Sequence, residues 1–381
     1  MTMEKLQLKE LVDIYLGVTH TPKYVYAGVP FLSVKDISGG QINFDNCKYI
    51  SEEEYNSLSQ GAKPQVGDML FCRVGTIGKP IIIPKGTPRF GSFVSLGYLR
   101  NKDNSRCRMD YLKHWMNSKS FYDQVQSNVK GASQVNLNTG WLSKFEVRLP
   151  DYRAQSDIVA TLDLCERIIN NRNLELQKLD NLIKARFVEF FGMPITNAKG
   201  WKTEPMDKVA PAVNYSGNFG EDVWLLNLDM IESQTGKIID YLYVTKDEVG
   251  NSTCTFDTSN VLYSKLRPYL NKVVIPDRCG YATSELVPLQ PVRSKLNREY
   301  LAYMLRSDEF VNIINEKVAG AKMPRVSMGD FRKFNVPIPP IELQNQFATF
   351  VKQVDKSKVA IQKSLAETQL LFDKLMQDYF G

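Results

Sequence analysis

The chain contains the passage VKGASQVNLNTGWLSKFEVRLPDYRAQ at residues 129–155, and a second version, VAGAKMPRVSMGDFRKFNVPIPPIELQ, at residues 318–344. The two align without a gap at an offset of 189 residues. Each holds a Gly-Ala pair, then a short alternating or β-branched run, a proline turn and a glutamine. A chain that carries this passage twice contains two copies of one module.

The same offset extends on both sides of the quoted passages. Upstream, Ser118 aligns with Ser307 at this offset. Downstream, Phe191-Gly192 aligns with Phe380-Gly381, the last two residues of the sequence. Farther upstream the copies correspond only with gaps, as when GDMLFCRVG (67–75) resembles TSNVLYSKLRP (258–268). Two copies are too few for a solenoid, which needs at least about three stacked units. The pattern indicates a duplicated domain with an appendage.

The appendage is predicted to be a long helix. From Ile158 and from Phe347, alternating steps of four and three residues reach mostly apolar positions, the spacing of a coiled-coil seam. About 38 residues at 1.5 Å each give a rod of roughly 57 Å. Such a rod overhangs a domain of ordinary size, so we predict that the two helices pair as an antiparallel coiled coil. The alternative is an amphipathic helix that lies on its own domain.

The segments before the helices read as mixed, mostly β structure. Short β-branched runs such as KPIIIP (79–84) and FNVPIP (334–339) alternate with Gly and Pro turns, and one helix interrupts each set, at 109–125 and 298–314. We therefore predict an α+β fold with pseudo-two-fold symmetry. The boundaries are 1–151 and 193–340 for the two mostly β domains, and 152–192 and 341–381 for the helices.

Composition excludes several classes of protein. The chain has 381 residues, 43% hydrophobic and 24% charged, which suits a globular protein of two or three domains. It lacks a run of about 18 apolar residues, and its charged N-terminus does not resemble a signal peptide, so we expect a cytoplasmic protein. Six scattered cysteines predict reduced, mostly buried thiols.

The net charge of +6 is modest, but basic residues are concentrated in corresponding places. The stretch 79–113 holds eight basic residues against two acidic ones, and the stretch 265–306 holds eight against three. Matched basic stretches favour contact with phosphate groups. A merely solvated face is the alternative for each.

These residues resemble the specificity subunit of type I restriction-modification systems. The resemblance rests on Gly131-Ala132, Pro150 and Gln155 before the first helix, and on their counterparts Gly320-Ala321, Pro339 and Gln344. The segments GVPFLSVKDI and GDMLFCRVGTIGKPIII are also similar to the front of that family's target-recognition domains. Asp151 and Met323-Pro324 depart from the family's pattern.

The resemblance implies that each target-recognition domain reads one half of a split, asymmetric site in double-stranded DNA. It implies that the helices set the spacer between the two half-sites and dock the modification (methyltransferase) subunits. Two such subunits are expected. Restriction (translocase and nuclease) subunits join that core. S-adenosylmethionine, ATP and Mg are then expected on partner subunits, and this chain is expected to bind no cofactor and catalyse nothing.

Catalytic motifs are missing from the sequence, as that division of labour requires. There is no phosphate-binding loop, no dinucleotide-binding glycine motif and no Asn/Asp-Pro-Pro-aromatic tetrad. The two histidines, His20 and His114, lie far apart in sequence, so we expect neither a catalytic histidine nor a metal site. Two alternatives stay open: a two-headed scaffold that binds proteins, and an enzyme whose site is not recognised.

Base edges are read by Arg, Lys, Asn and Gln, and phosphates by Lys, Arg and Ser. The DNA-binding candidates of these types are Arg73, Lys79, Arg89, Lys130, Ser133, Gln134, Asn136, Lys265, Arg267, Lys272, Lys322 and Arg325. Aromatic residues near the helix ends exceed what a two-helix seam needs, which makes Phe187, Phe190, Phe191, Tyr379 and Phe380 candidates for docking partner subunits. The alternative for them is contact with the opposite globular domain.

Overall fold

The structure, a computed structural model, describes residues 3–37, 39–128, 136–319 and 322–381. The chain divides into two compact units, one formed by Met1–Asn173 with Lys363–Gly381 and the other by Leu174–Gln362. Two 40-residue helices, Tyr152–Phe191 and Ile341–Phe380, each contribute to both units.

The first unit begins with a strand and short helix and continues through small sheets. Its described elements are β1 Glu4–Gln7, α1 Leu8–Leu11, β2 Val12–Leu16, β3 Tyr24–Val25, β4 Val29–Leu32, β5 Lys48–Ile50, α2 Glu52–Ser57, β6 Met69–Cys72, β7 Gly78–Ile82, β8 Gly91–Ser92, β9 Leu96–Asn101, α3 Met109–Met116, α4 Lys119–Asn128, α5 Thr139–Leu142, β10 Glu146–Leu149 and the start of α6 Tyr152–Phe191.

The second unit follows a similar but not identical order. Its described elements are the end of α6, β11 Lys202–Pro205, α7 Met206–Val209, β12 Asp222–Leu226, β13 Leu242–Thr245, β14 Thr253–Phe256, β15 Val261–Ser264, β16 Val273–Val274, β17 Gly280–Thr283, β18 Leu286–Leu289, α8 Arg298–Arg306, α9 Asp308–Glu316, β19 Val318–Ala319, β20 Arg325–Val326, α10 Met328–Lys333, β21 Asn335–Ile338 and the start of α11 Ile341–Phe380. The end of α11 belongs to the first unit.

Strand pairing shows the duplication directly. In each unit the first strand pairs antiparallel with the strand before the long helix, β1 with β10 and β11 with β21. A central strand lies between two antiparallel neighbours, β6 between β7 and β9, and β15 between β16 and β18. Each unit also has a four-stranded sheet with one parallel pair, β4 with β8 and β12 with β17. The α+β prediction is confirmed.

The long helices pair with one another inside each unit. In the first unit Ile158 and Leu162 of α6 share a hydrophobic core with Phe372 and Leu375 of α11. In the second, the end of α6 packs on the start of α11, and Phe187 lies 5.5 Å from Phe347 between ring centroids. The start of one helix thus meets the end of the other, so the predicted antiparallel pairing is confirmed. Every position of the two predicted seams is buried or half-buried.

The single helix predicted in each globular part is wrong, because each is broken into two. Ser118 follows α3 and its Oγ accepts a hydrogen bond from the Phe121 N–H at 3.3 Å. Ser307 precedes α9 and its Oγ accepts from the Phe310 N–H at 3.4 Å. A serine that caps a new helix satisfies amide groups that the break leaves unpaired. The two breaks fall 189 residues apart, so the module carries the break.

A fully buried glutamine fixes the start of each long helix. The Gln155 Oε1 accepts from the Arg108 N–H at 2.9 Å, and its Nε2 donates to the carbonyls of Arg106 and Pro150, both at 2.9 Å. Gln344 makes the equivalent bonds to Asn297, Lys295 and Pro339. Each glutamine therefore ties the chain before α3 or α8 to the proline turn before α6 or α11.

Two further observations concern composition. None of the described helices combines the length and apolar content that a membrane span requires. No disulfide joins the six cysteines, all of which lie in the described part of the chain. Four are buried, with Cys254 half-buried and Cys279 exposed, so the prediction of mostly buried thiols is confirmed.

Candidate nucleic-acid interface

A group of three chain segments meets at one end of the central strand in the second unit. The Lys265 N–H donates to the Glu285 carbonyl at 3.0 Å, and the Val326 N–H donates to the Lys265 carbonyl at 2.9 Å. The Arg267 N–H donates to the Pro324 carbonyl at 2.8 Å. We call the group formed by residues 265–267, 285 and 322–326 the second corner.

The first unit has the same arrangement. The Arg73 N–H donates to the Ser95 carbonyl at 3.0 Å, and the Leu137 N–H donates to the Arg73 carbonyl at 2.9 Å. Val74 and Asn136 form an antiparallel bridge, as Leu266 and Arg325 do in the second unit. Residues 73–75, 95 and 136–137 form the first corner. Backbone bonds thus align Arg73 with Lys265, Ser95 with Glu285, and Asn136 with Arg325.

Each corner contains one residue whose backbone is in the left-handed conformation. Gly75 has φ of +72°, and Arg267, which follows the bridge in the second unit as Gly75 does in the first, has φ of +48°. Glycine adopts this conformation readily, whereas other residues do so at a cost of about 1–3 kcal/mol. The second unit therefore keeps an arginine where the backbone suits glycine.

Six of the predicted DNA-binding residues lie in the two corners. The second corner holds Lys265, Arg267, Lys322 and Arg325, and no acidic residue except Glu285. Lys322 and Arg325 are exposed, and Lys265 and Arg267 are half-buried. The fold therefore brings together four cations that lie up to 60 residues apart in the sequence.

Arg325 is held by a carboxylate that the sequence gave no reason to single out. Its Nε and Nη2 donate to Glu285 Oε1 at 3.2 and 2.9 Å. These hydrogen bonds raise the pKa of Arg325 further above its ordinary value. Half of the Arg325 side chain stays exposed, against one fifth for Glu285. Glu285 lies just before β18, 40 residues from Arg325, and only the strand pairing brings the two together.

The first corner contains Arg73 and Asn136. The Arg73 Nε donates to the Leu137 carbonyl at 2.9 Å and its Nη1 to the Val94 carbonyl at 3.3 Å, so this guanidinium holds the corner together. Asn136 is exposed, and among the described residues its side-chain amide has no hydrogen-bond partner. Ser95, the counterpart of Glu285, accepts from the Val34 N–H through Oγ at 3.2 Å.

The other candidates lie elsewhere. Arg89 forms an exposed ion pair with Glu52, and its guanidinium carbon lies 5.4 Å from the ring centroid of Tyr55. Lys79 is half-buried with φ of +49°. The Lys272 Nζ donates to the Leu228 carbonyl at 2.6 Å, and burial lowers the pKa of this lysine. Lys130, Ser133 and Gln134, with both Gly-Ala pairs, lie outside the described residues.

The basic stretches of the sequence differ once folded. In the first stretch, six of the eight basic residues form ion pairs among the described residues, with Glu52, Asp68, Asp13, Glu4, Asp110 and Glu166 as partners. In the second stretch, only Arg278, Lys295 and Arg298 do so. Basic density along the first stretch is therefore largely neutralised within the chain.

The aromatic candidates are used for packing inside the units. Phe187 and Phe191 are each 3% exposed and contact Tyr300 of the second unit, while Phe380 is 3% exposed and lies 5.1 Å from Tyr111 of the first. Phe190 and Tyr379 are half-buried beside them. This matches the alternative of intramolecular packing for the three buried rings, and docking of partners at the cluster stays a prediction.

His114 has carboxylate neighbours that its isolation in the sequence did not reveal. Its ring is fully buried, with Nε2 2.8 Å from Asp163 Oδ1 and Nδ1 3.7 Å from Glu166 Oε1. These three side chains could offer ligand atoms to a metal ion. The hydrogen bond to Asp163 already explains the burial of the ring between α3 and α6, and the expectation of no metal site is untested.

Comparisons with known proteins agree with this architecture. A family model described as the type I restriction modification DNA specificity domain matches residues 2–179 and 233–369. The type I restriction enzyme EcoDI specificity subunit of Escherichia coli is 27% identical over 39% of this chain and 32% of its own length. A putative type I restriction enzyme MjaX specificity subunit of Methanocaldococcus jannaschii is 19% identical over 92% of this chain and 86% of its own length.

Solved structures show the same fold. A chain from work on complex assembly and conformational transition of the type I R-M system matches with a TM-score of 0.60 at 15% identity, over 99% of this chain and 97% of that one. The S subunit of a type I restriction-modification system from M. genitalium matches with a TM-score of 0.58 at 13% identity, over 100% and 96%.

Proposed function

The chain belongs to the type I restriction modification DNA specificity domain family, and from this premise we propose that it is the sequence-reading subunit of such a complex. Each unit binds one half of a split, asymmetric site in double-stranded DNA. The two halves differ in sequence because the two units present different side chains on one backbone frame.

The pair of corners carries this proposal. The same backbone hydrogen bonds recur in both units, while the side chains that they position differ, with Asn136 in one and Arg325 in the other. A frame that stays constant while its polar side chains vary is what a reader of changing base sequences needs, because discrimination depends on donors and acceptors at base edges. Lys265, Arg267 and Lys322 supply positive charge beside Arg325, which suits phosphate contacts.

The long helices have the supporting role in this proposal. As one antiparallel pair that enters both units, they fix the spacer between the half-sites and provide the surface on which methyltransferase subunits, and through them restriction subunits, assemble. The chain itself performs no chemistry. S-adenosylmethionine, ATP and Mg bind to the partner subunits, and the complex acts in the cytoplasm.

A salt titration tests the DNA-binding part of the proposal. The chain is assembled with its methyltransferase partner, and filter binding to duplex DNA is measured between about 50 and 200 mM salt. We expect the logarithm of the binding constant to fall linearly with the logarithm of salt concentration, since cations that neutralise phosphates release counterions. DNA binding that does not weaken as salt rises, or an absence of DNA binding, would instead favour the two-headed scaffold that binds proteins.

Methylation-sensitive sequencing of the host genome, with and without this gene, tests the sequence-reading part. The expected result is one split motif, with modified adenine on both strands, that disappears when the gene is deleted. A continuous motif, or modification that persists without the gene, would contradict the proposal.

A further inference from the structure

Asn136 and Arg325 occupy one structural position in two units and differ in hydrogen-bonding chemistry. Each residue is exposed, and each forms a backbone bridge to the residue after the central strand, Val74 or Leu266. The guanidinium of arginine matches O6 and N7 of guanine, whereas the amide of asparagine matches N6 and N7 of adenine. The same location is therefore equipped for a different base in each unit.

The contacts of Arg325 leave the Nη1–Nη2 edge of its guanidinium, the edge that would contact guanine, without a hydrogen bond to Glu285. Glu285 accepts from Nε and from Nη2, at 3.2 and 2.9 Å. A guanidinium has five N–H groups, so both N–H groups of Nη1 and the second of Nη2 remain available. One N–H of Nη1 and the free N–H of Nη2 lie on the edge that does not face the carboxylate, and they form the parallel pair of donors that bidentate recognition of guanine needs.

Glu285 fixes the direction of that edge. Glu285 lies in the turn before β18, and its backbone carbonyl accepts from the Lys265 N–H, which ties that turn to the end of the central strand. Its side chain is only 20% exposed, which limits its motion. The first unit has Ser95 in this place, and its Oγ already accepts from the Val34 N–H. Ser95 offers no carboxylate, and the first unit has Asn136, not arginine, at the position of Arg325.

We propose that the corner position is a specificity-determining site in each unit, with Arg325, oriented by Glu285, reading a guanine in one half-site and Asn136 reading an adenine in the other. The inference rests on the proposed function, because it assigns residues within the same DNA-reading role. Glu285 acts as a positioning residue through Arg325. Lys265, Arg267 and Lys322 contact phosphates and do not select bases.

The test compares methylation motifs of the complete system carrying single variants. Arg325→Ala is expected to lose the preference for guanine at one position of one half-site by about 5- to 150-fold, the range for one bidentate contact. The other half-site stays unchanged. Arg325→Gln shifts that position towards adenine, because glutamine pairs with adenine. Asn136→Ala relaxes one adenine in the opposite half-site.

Glu285→Gln is expected to relax the same position as Arg325→Ala but less, since an amide keeps one accepting oxygen. A loss of stability would lower methylation at all sites and leave the motif unchanged, so the motif separates positioning from folding. Arg106→Ala is the matched control, because Arg106 forms an exposed ion pair with Glu4 at 3.3 Å outside both corners. That variant keeps the full motif.

Two results would overturn the inference while the proposed function stands. One is an unchanged motif in Arg325→Ala with uniformly weaker methylation, which marks a phosphate contact or a contribution to stability and rules out base reading. The other is relaxation of positions in both half-sites by one substitution. If the wild-type chain yields no split motif, the proposed function itself fails, which is a different outcome from either of these.

Discussion

Arg267 has a backbone conformation that favours glycine, and this makes strain and charge separable at one position. Its φ is +48°, and the Nε of its side chain is buried without a hydrogen-bond partner among the described residues. Both features disfavour the folded state. Arginine at this position opposes stability, which is understandable if its charge serves binding.

We predict that two substitutions at this residue differ in stability but not in DNA binding. Arg267→Gly relieves the left-handed strain, whereas Arg267→Ala retains it, so the glycine variant is expected to be more stable by about 1–2 kcal/mol. Both remove the charge and are expected to weaken DNA binding equally, with a salt slope lower by about one. Urea unfolding and filter binding measure the two quantities. Equal stability of the variants would show that the backbone carries no strain.

The buried glutamines give a second prediction at the residue scale. Gln155→Leu leaves the Arg108 N–H and the carbonyls of Arg106 and Pro150 without partners, which is expected to lower the free energy of unfolding by about 2–4 kcal/mol. Gln124→Leu is the control, because Gln124 also makes bonds to three backbone groups but is only half-buried. Its loss is expected to be about 1 kcal/mol, since water replaces the bonds. Similar losses in urea unfolding would contradict the role of burial.

Thiol reactivity distinguishes the cysteines. Burial raises the pKa of Cys107 to about 12 and that of Cys254 to about 11, so neither has appreciable thiolate at pH 8. Cys279 is exposed. An aromatic disulfide reagent at pH 8 is expected to modify one thiol rapidly in the folded chain, and Cys279→Ser is expected to remove that fast phase. A fast phase that survives the substitution would place a second reactive thiol at the surface.

Sequence reasoning identified the residue types of the site but could not identify their partners. Lys265, Arg267 and Arg325 were selected because cations bind DNA, and the fold brings them together. Glu285 was not selected, because its contact with Arg325 depends on strand pairing across 40 residues. Arg100 lies in a basic stretch but is bound to the buried Asp68, which local charge counting cannot reveal.

At the scale of elements, apolar periodicity was a reliable guide and helix continuity was not. The two long helices follow from spacing of four and three residues, because packing of an apolar stripe overrides weak propensities. Apolar periodicity did not predict the helix breaks at Ser118 and Ser307, because the apolar pattern continues across them. A serine in the middle of a helical pattern was the available signal, and its capping bond decides the outcome.

The helix pairing leads to a prediction for the second unit. Phe347 is fully buried and lies within 5.6 Å, between ring centroids, of Phe187, Phe191 and Tyr303, so its ring joins α11 to α6 and α8. Phe347→Ala is expected to lower the free energy of unfolding by about 3–5 kcal/mol through loss of buried area and a cavity. Leu371→Ala, on the exposed face of α11, is expected to change it by less than about 0.5 kcal/mol. Thermal or urea unfolding checks both, and a small effect of Phe347→Ala would show that the pairing adds little stability.

At the scale of the molecule, the sequence repeat predicted the duplicated architecture. The structure shows why the residues of the frame recur in both units while the exposed corner residues differ. The strands that close each unit, β1 with β10 and β11 with β21, and the buried glutamines recur because they hold the frame. Asn136 and Arg325 are exposed, so the residue at this corner position can vary without disturbing the core. The fold could therefore be predicted from the residues that the two copies share. The bases that each unit recognises depend on the side chains that differ between the copies.

Module exchange follows from this division. The β1–β10 ladder joins Glu4 to Leu149, so residues 1–150 contain both strands that close the first globular part before α6 begins. Replacement of 1–150 by the corresponding segment of a relative is expected to change one half of the methylation motif and to leave the other half intact. The donor segment must keep an aromatic residue at the position of Tyr111, because that ring packs on Phe380 and its hydroxyl donates to the Arg148 carbonyl at 2.6 Å. Sequencing of modified adenines measures the result, and the reciprocal exchange of 193–340 is the control that must change the opposite half. A motif altered in both halves by either exchange would mean that the units do not read DNA independently.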